Sequence, residues 1–246
     1  MEEVLNDESP LRALLRGFER ARKLTVWTLV ALLIGTSVSW AYAREIYSLL
    51  ALPLTRELAE RGQDARLTIT GLSDPFILYF TLSLMGGIVI ALPILSAQLY
   101  MIVAARVRVK SSLQIAGFAI AGTTLFVGGM AFCYFILLPF AIAYLLDIAS
   151  QFETAVTVRD FLRFSTRLLL AMGLGAQLPL VALVASRVGL VTAGGLWRGL
   201  PYATVTAFIA AAWITPPDGM SQLLVGVPLL ILYMIGIGLA ALFGRG

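Results

Sequence analysis

The sequence predicts an all-α polytopic membrane protein with six transmembrane helices. Three observations carry this reading. Apolar residues make up 59% of the chain and charged residues only 13%, against about 25% charged in an ordinary soluble domain. The apolar residues gather into runs near the ~20 residues a helix needs to cross ~30 Å of hydrocarbon. No polar stretch is long enough for a separate soluble unit, so residues 1–246 read as a single integral membrane domain.

The first 23 residues form a charged leader in which Leu11, Leu14, Leu15 and Phe18 fall at helical spacing, the pattern of an amphipathic helix on the cytoplasmic face. The first span is Leu24–Ala43; it is longer than the apolar core of a cleavable signal peptide and follows a long charged leader. A polar stretch from Arg44 to Asp74 is read as an outer loop. The second span, Pro75–Ala105, opens with Asp74 as N-cap and a proline at the first helical position. A basic connector, Arg106-Val-Arg108-Val-Lys110, leads to the third span, Leu113–Leu138, which Pro139 is expected to end or kink. Residues 140–160 mix apolar and acidic positions and read as interfacial. The fourth span, Phe161–Ser186, contains Pro179, and a Gly-rich connector follows it. The fifth, Leu200–Ile214, and the sixth, Ser221–Phe243, flank Thr215-Pro216-Pro217-Asp218-Gly219, whose prolines and glycine force a tight reversal. Fifteen residues of helix reach only ~22 Å, so the fifth span is short for a bilayer.

Orientation follows from the basic residues. Eleven of the 18 lysines and arginines flank the spans on the side of the N-terminus, and the basic connector after the second span holds no acid. Both termini are therefore expected in the cytoplasm of a multi-pass inner-membrane protein. The net charge of +4 is scattered among the spans without a basic patch, so no nucleic-acid partner is implied; the bilayer and its anionic surface are the expected partners of these cations.

Much chemistry is missing. No histidine is present, which removes His-ligated zinc sites and His-dependent nucleophilic catalysis. The lone Cys133 lies in an apolar run and reads as a small buried hydrophobe. No carboxylate lies between Pro75 and Leu146, between Phe161 and Pro217, or after Gly219. A charged residue at membrane depth is the usual working site of an ion-coupled transporter, and its absence argues against one. No phosphate-binding loop is present. Neither an enzyme nor a cofactor is predicted, and no metal. What remains inside the spans is uncharged and polar: Gln98, Gln177, Thr215 and Gln222 lead it. Each glutamine reads first as interhelical glue, with a helix-docking patch as the functional alternative. Arg159, Arg163 and Arg167 share one helical face and read as snorkelling cations beside Asp160. Asp218 reads as a cap.

Several segments together resemble the TatC family, the multispanning receptor subunit of the twin-arginine protein translocase. They are Ala91-Leu-Pro93-Ile-Leu-Ser-Ala-Gln98, Gly129-Met-Ala-Phe-Cys-Tyr134-Phe-Ile-Leu-Leu-Pro139, Gly173-Leu-Gly-Ala-Gln-Leu-Pro179 and Thr215-Pro-Pro-Asp218-Gly-Met-Ser-Gln222, with Pro228 and Leu232-Tyr233 beyond. The resemblance covers nearly the whole chain, and the Thr-Pro-Pro-Asp…Ser-Gln turn is its most specific element. It implies six helices with a concave face, short fifth and sixth helices and cytoplasmic termini. It also implies Sec-independent translocation of folded proteins driven by the proton gradient, without enzymatic turnover. Single-span subunits of the TatA/TatB type are the implied partners, docking around Thr215 and Gln222 beside the Pro216-Pro217-Asp218 turn. Twin-arginine signal peptides, and another TatC copy in a homo- or hetero-oligomer, complete the implied partners.

The departures from the family pattern fall on signal recognition, which the resemblance assigns to Glu19, Arg20 and Ser111. The family's glutamate in the connector after the second span is replaced by Ser111, next to Arg106, Arg108 and Lys110. Glu19 is the nearest acid to the N-terminal motif, one position off register. Gln177 stands in place of an intramembrane glutamate, and Met234 in place of an acid in the sixth span. Guanidinium recognition uses carboxylates, so the scaffold is TatC-like while the signal-reading surface is not. Two other classes stay open at this stage: a small-molecule transporter or channel, against which the missing intramembrane charge argues, and a structural paralogue that has lost signal recognition.

Overall fold

The computed structural model describes residues 10–62, 71–104, 112–149, 157–215 and 218–244. Ten α-helices account for most of them. Helix α1 (Pro10–Ala41) breaks at Tyr42 into α2 (Ala43–Glu60), and α3 spans Asp74–Ala104. Helix α4 (Ser112–Phe132) runs through a π-helical turn, Cys133–Leu137, into α5 (Leu138–Ala149). Helix α6 (Val158–Gly175) is followed by α7 (Leu178–Arg187), the short α8 (Ala193–Arg198), α9 (Leu200–Ile214) and α10 (Gly219–Phe243). No strand occurs among the described residues.

Four helical segments are long and apolar enough to cross a membrane alone: Asp74–Gln98, Ile115–Ile148, Val158–Arg187 and Gly219–Phe243. A fifth candidate is the pair Thr25–Ala41 and Ala43–Glu60, bent by 73° at its break, and α9 is a shorter apolar helix of 15 residues. Of the last two helices only α9 is short. Helix α10 has 25 residues, about 37 Å, because Asp218 caps it from outside and Pro228 is accommodated within it.

Two stretches differ from the sequence reading. The stretch read as a polar loop after the first span contains the 18-residue α2. It buries Leu50, Leu54 and Leu58 at i, i+4 and i+8 and turns Arg44, Glu45 and Arg56 outward, an amphipathic face that the high charge of the segment hides from a hydropathy reading. The second is Pro139, where the helix neither ends nor breaks. Proline has no N–H for the carbonyl four residues back, and its ring crowds that carbonyl. The preceding turn widens to a π-helix, with Leu138 N–H donating to the Cys133 carbonyl five residues back, and the axis continues to Ala149. Pro179 acts differently: α6 stops at Gly175, and the proline enters the first turn of α7 after a two-residue break.

The helices approach one another at small residues. Helix α1 lies on α3 where Gly35, Thr36 and Ser39 face Gly86 and Gly87; a Cβ at Gly87 would collide with the Thr36 hydroxyl and come 2.8 Å from its backbone nitrogen. Helix α4 meets α6 where Gly129 would place a Cβ 2.7 Å from the Met172 carbonyl and Gly173 lies under the Phe126 ring. The core between them collects Leu82, Met85, Cys133, Leu137, Leu168 and Met172.

Gly87→Val should therefore separate α1 from α3 and cost about 1–3 kcal/mol, the usual range for overpacking. Gly128, whose Cβ would meet nothing within 4 Å, supplies the control. Thermal unfolding in detergent should drop for Gly87→Val and hold or rise slightly for Gly128→Ala; equal midpoints would refute the close-approach account.

Candidate functional site

The sequence concentrates uncharged polar groups at the α9–α10 hairpin, and the structure brings the described ones together. Asp218 is extended and caps α10, its Oδ1 accepting from the Ser221 N–H at 2.7 Å. One turn later the Gln222 amide reaches across the hairpin, and its Nε2 donates to the Phe208 carbonyl of α9 at 2.9 Å. Thr215 ends α9, buried, its hydroxyl donating to the Ala211 carbonyl at 2.9 Å. The other carboxylate oxygen of Asp218 and the hydroxyl of Ser221 are buried without a hydrogen-bond partner. Unpaired polar atoms are rare inside proteins, so this hairpin holds acceptor and donor capacity its own fold leaves unused. Pro216 and Pro217 lie outside the described residues.

Beside the hairpin, α9 presents a bare face. Tyr202, Val205, Ile209 and Trp213, at i, i+3, i+7 and i+11, are all exposed, Trp213 at 89%; only Ala211 of this helix is buried. A single stripe of large apolar side chains next to a polar turn can take a membrane-embedded helix in side-by-side packing, with the polar atoms fixing its depth.

The other intramembrane glutamines are engaged inside the bundle. Gln98, 8% exposed on α3, accepts from the Thr28 hydroxyl of α1 at 2.7 Å. Gln177 sits in the break between α6 and α7 and donates from Nε2 to the Gly122 carbonyl of α4 at 2.7 Å. Each ties two helices together. The structure does not place either one at the α9–α10 hairpin. Glu19 and Arg20 fall within α1, with side chains outside the described residues, and Ser111 lies outside them altogether.

One polar cluster was not foreseen from the sequence. Arg61, at the end of α2, binds Asp147 of α5 at 2.6 Å, Glu57 at 3.0 Å and the Ala143 carbonyl at 3.1 Å. Hydrogen bonds donated to Asp147 and then to Glu57 raise its pKa above the ordinary arginine value, so this clasp keeps its cation at every working pH. The Tyr134 hydroxyl adds a second tie, donating to the Leu49 carbonyl at 2.6 Å. The acidic patterning of α2 was the available signal; partners 82 and 86 positions away gave none.

Comparison with known proteins points one way. Residues 18–228 match the family model described as Sec-independent protein translocase protein (TatC). The chain is similar to the Sec-independent protein translocase protein TatC of Koribacter versatilis, 28% identical over 93% of this chain and 84% of that protein. It is likewise similar to the TatC of Desulforapulum autotrophicum, 31% identical over 91% and 82%. Its fold superposes on a crystal structure of the twin-arginine translocase receptor TatC with a TM-score of 0.83, at 27% identity, covering 93% of this chain and 99% of that one.

Removing the cap tests the hairpin as a structural unit. Asp218→Ala should cost about 1 kcal/mol and fray the start of α10, read as a lower unfolding midpoint and faster amide exchange at Ser221 and Gln222. Asp218→Asn keeps the acceptor and should restore both. A loss with Asn equal to that with Ala would mean that the carboxylate's charge, rather than the cap, is what the hairpin needs.

Proposed function

The chain belongs to the TatC family, and from that premise we propose how this twin-arginine receptor subunit of the Sec-independent protein translocase engages its partners. It is a multi-pass membrane protein. In our reading, α9 and the α9–α10 hairpin dock single-span TatA/TatB-type subunits, and the chain serves as their scaffold without an enzymatic turnover of its own. The observation that carries this is the exposed apolar row Tyr202, Val205, Ile209 and Trp213 on the helix that leads into the polar α9–α10 turn. An apolar stripe alone would face lipid as well as protein; a polar turn at its end favours a protein helix whose depth that turn can fix. The proposed site is an inner membrane, with both termini in the cytoplasm, as the basic connectors favour. Another TatC copy in the same assembly would supply what this chain lacks in acids.

Photo-cross-linkers at Ile209 or Trp213 should capture a single-span subunit, while one at Phe135, also exposed but on the π-helical turn between α4 and α5, should not. Gln222→Leu loosens the hairpin by about 0.6 kcal/mol and should weaken capture a few-fold in a protein that remains folded. Capture at Phe135 and none along α9 would overturn the assignment.

Signal reading rests on charge. With Ser111 where the family has an acid and three cations just before it, this chain alone should bind a twin-arginine signal poorly and fail to restore export in cells lacking their own TatC. An exposed ion pair is worth up to ~1 kcal/mol, so Ser111→Glu should raise signal-peptide cross-linking no more than about fivefold, and further if Arg108→Ala accompanies it. Strong cross-linking by the unaltered chain, with no competition from twin-lysine signals, would move recognition to other acids, Glu19 first.

A further inference from the structure

A groove of about 300 Å³ runs between α3 and α6 at the end of the bundle where both helices begin. One wall is the row Arg159, Arg163 and Arg167, spaced one turn apart on α6; the facing wall is largely apolar, with Ile77, Leu84 and Ile88 of α3 beside Thr81. Arg159 stands at the mouth, 3.8 Å from the buried carboxylate of Asp74. Asp160, beside the row, accepts the hydroxyl of Thr157 at 2.8 Å. No carboxylate of the described residues lies within ion-pair distance of Arg163 or Arg167, and both side chains are exposed along the groove.

The position of the row matters. Arg167 lies about 12 Å further along the helix axis than Arg159, in the first ten residues of a 30-residue segment apolar enough to span a membrane. The uncharged run that follows, residues 168–186, is by itself about 28 Å long. The arginines therefore stand toward headgroup level, where a cation meets lipid phosphate or water, and the protein's own described residues supply no counter-charge to the inner two. From Asp74 to Ile88 the apolar wall extends about 21 Å, which matches the ~15 Å hydrocarbon of one leaflet plus its headgroup zone. A groove with cations along one side, an apolar floor along the other and the length of one leaflet has the complementarity of a single amphiphile. We propose that the α3–α6 groove is a binding site for an anionic phospholipid, its phosphate held by Arg163 and Arg167 and an acyl chain laid against Ile77, Leu84 and Ile88. This site lies on a different pair of helices from the partner-docking hairpin and does not depend on that reading.

Native mass spectrometry of the full chain, delipidated in detergent and titrated with phosphatidylglycerol or phosphatidylcholine, tests it. Phosphatidylglycerol should be retained preferentially, and Arg163→Gln/Arg167→Gln should weaken its retention about thirtyfold, about fivefold per cation lost near a lipid surface, leaving phosphatidylcholine unchanged. Arg163→Lys/Arg167→Lys keeps both charges, should retain the lipid, and decides the matter if the glutamine pair fails to fold. Equal retention of both lipids, or an unaltered preference in a folded glutamine pair, overturns the proposal. So does displacement of the lipid by inorganic phosphate, which would make this a free-anion site, and so does shielding of the arginines only when a single-span subunit is added, which would make the occupant a protein.

Discussion

Helices surrounded by hydrocarbon gain little by burying apolar surface against one another, because the lipid is as apolar as leucine. What this fold depends on is the close approach of backbones at small residues, with polar side chains bonding across the gaps. Gly86 and Gly87 against Thr36 and Ser39 bring α1 onto α3, and Gly129 brings α4 onto α6. At each of these crossings a glutamine closes the contact nearby: Gln98 with Thr28 for the first pair, Gln177 with Gly122 for the second. Gln222 repeats the device within the last hairpin. Side-chain volume and hydrogen bonding thus act together, since the glutamine amides reach their partners only where small residues let the helices come near.

Irregular backbone is placed where this scheme can carry it. The π-turn before Pro139 keeps its helix continuous by bonding five residues back, and the break at Ala176–Gln177 is stitched by the amide of Gln177 itself. The 73° bend after Ala41 sends α2 away from the axis of α1, where Arg61 and Tyr134 fasten it to the helix running through Pro139. Ionic contacts among the described residues sit at such helix ends, where a charge can reach water or headgroups. The arginine row of α6 also lies toward a helix end, but no acid of the described residues is within ion-pair distance of Arg163 or Arg167, which distinguishes the α3–α6 groove from an ordinary crevice.

The two proposed surfaces differ in how they are made. The α9–α10 hairpin offers an apolar stripe beside a polar turn, suited to a neighbour that is itself a helix. The groove offers cations in a row, suited to a diffusible anion with a tail. One chain can hold both because the charge lies on α6 and the bare apolar face on α9.

That the chain is an all-helical multi-pass membrane protein follows from the sequence alone, because a span is a local property: enough apolar residues in a row, whatever they touch. The family membership was also legible, carried by turn and proline motifs such as Thr215-Pro-Pro-Asp218, and so was the capping role of Asp218, set by residues within one turn. Three features were decided only in three dimensions. Helix α2 was hidden because its hydrophobic face of Leu50, Leu54 and Leu58 is diluted by charge, and only packing on α5 gives that face a purpose. The glutamines could be read as glue or as docking groups until partners up to 70 residues distant engaged Gln98, Gln177 and Gln222. The arginines of α6 read only as snorkelling cations until the folded chain gave the neighbouring Asp160 to Thr157 and set a largely apolar wall of α3 opposite. Hydropathy and capping act between neighbours in the chain, whereas the pairing of polar groups depends on which helices meet and on the small residues that let them.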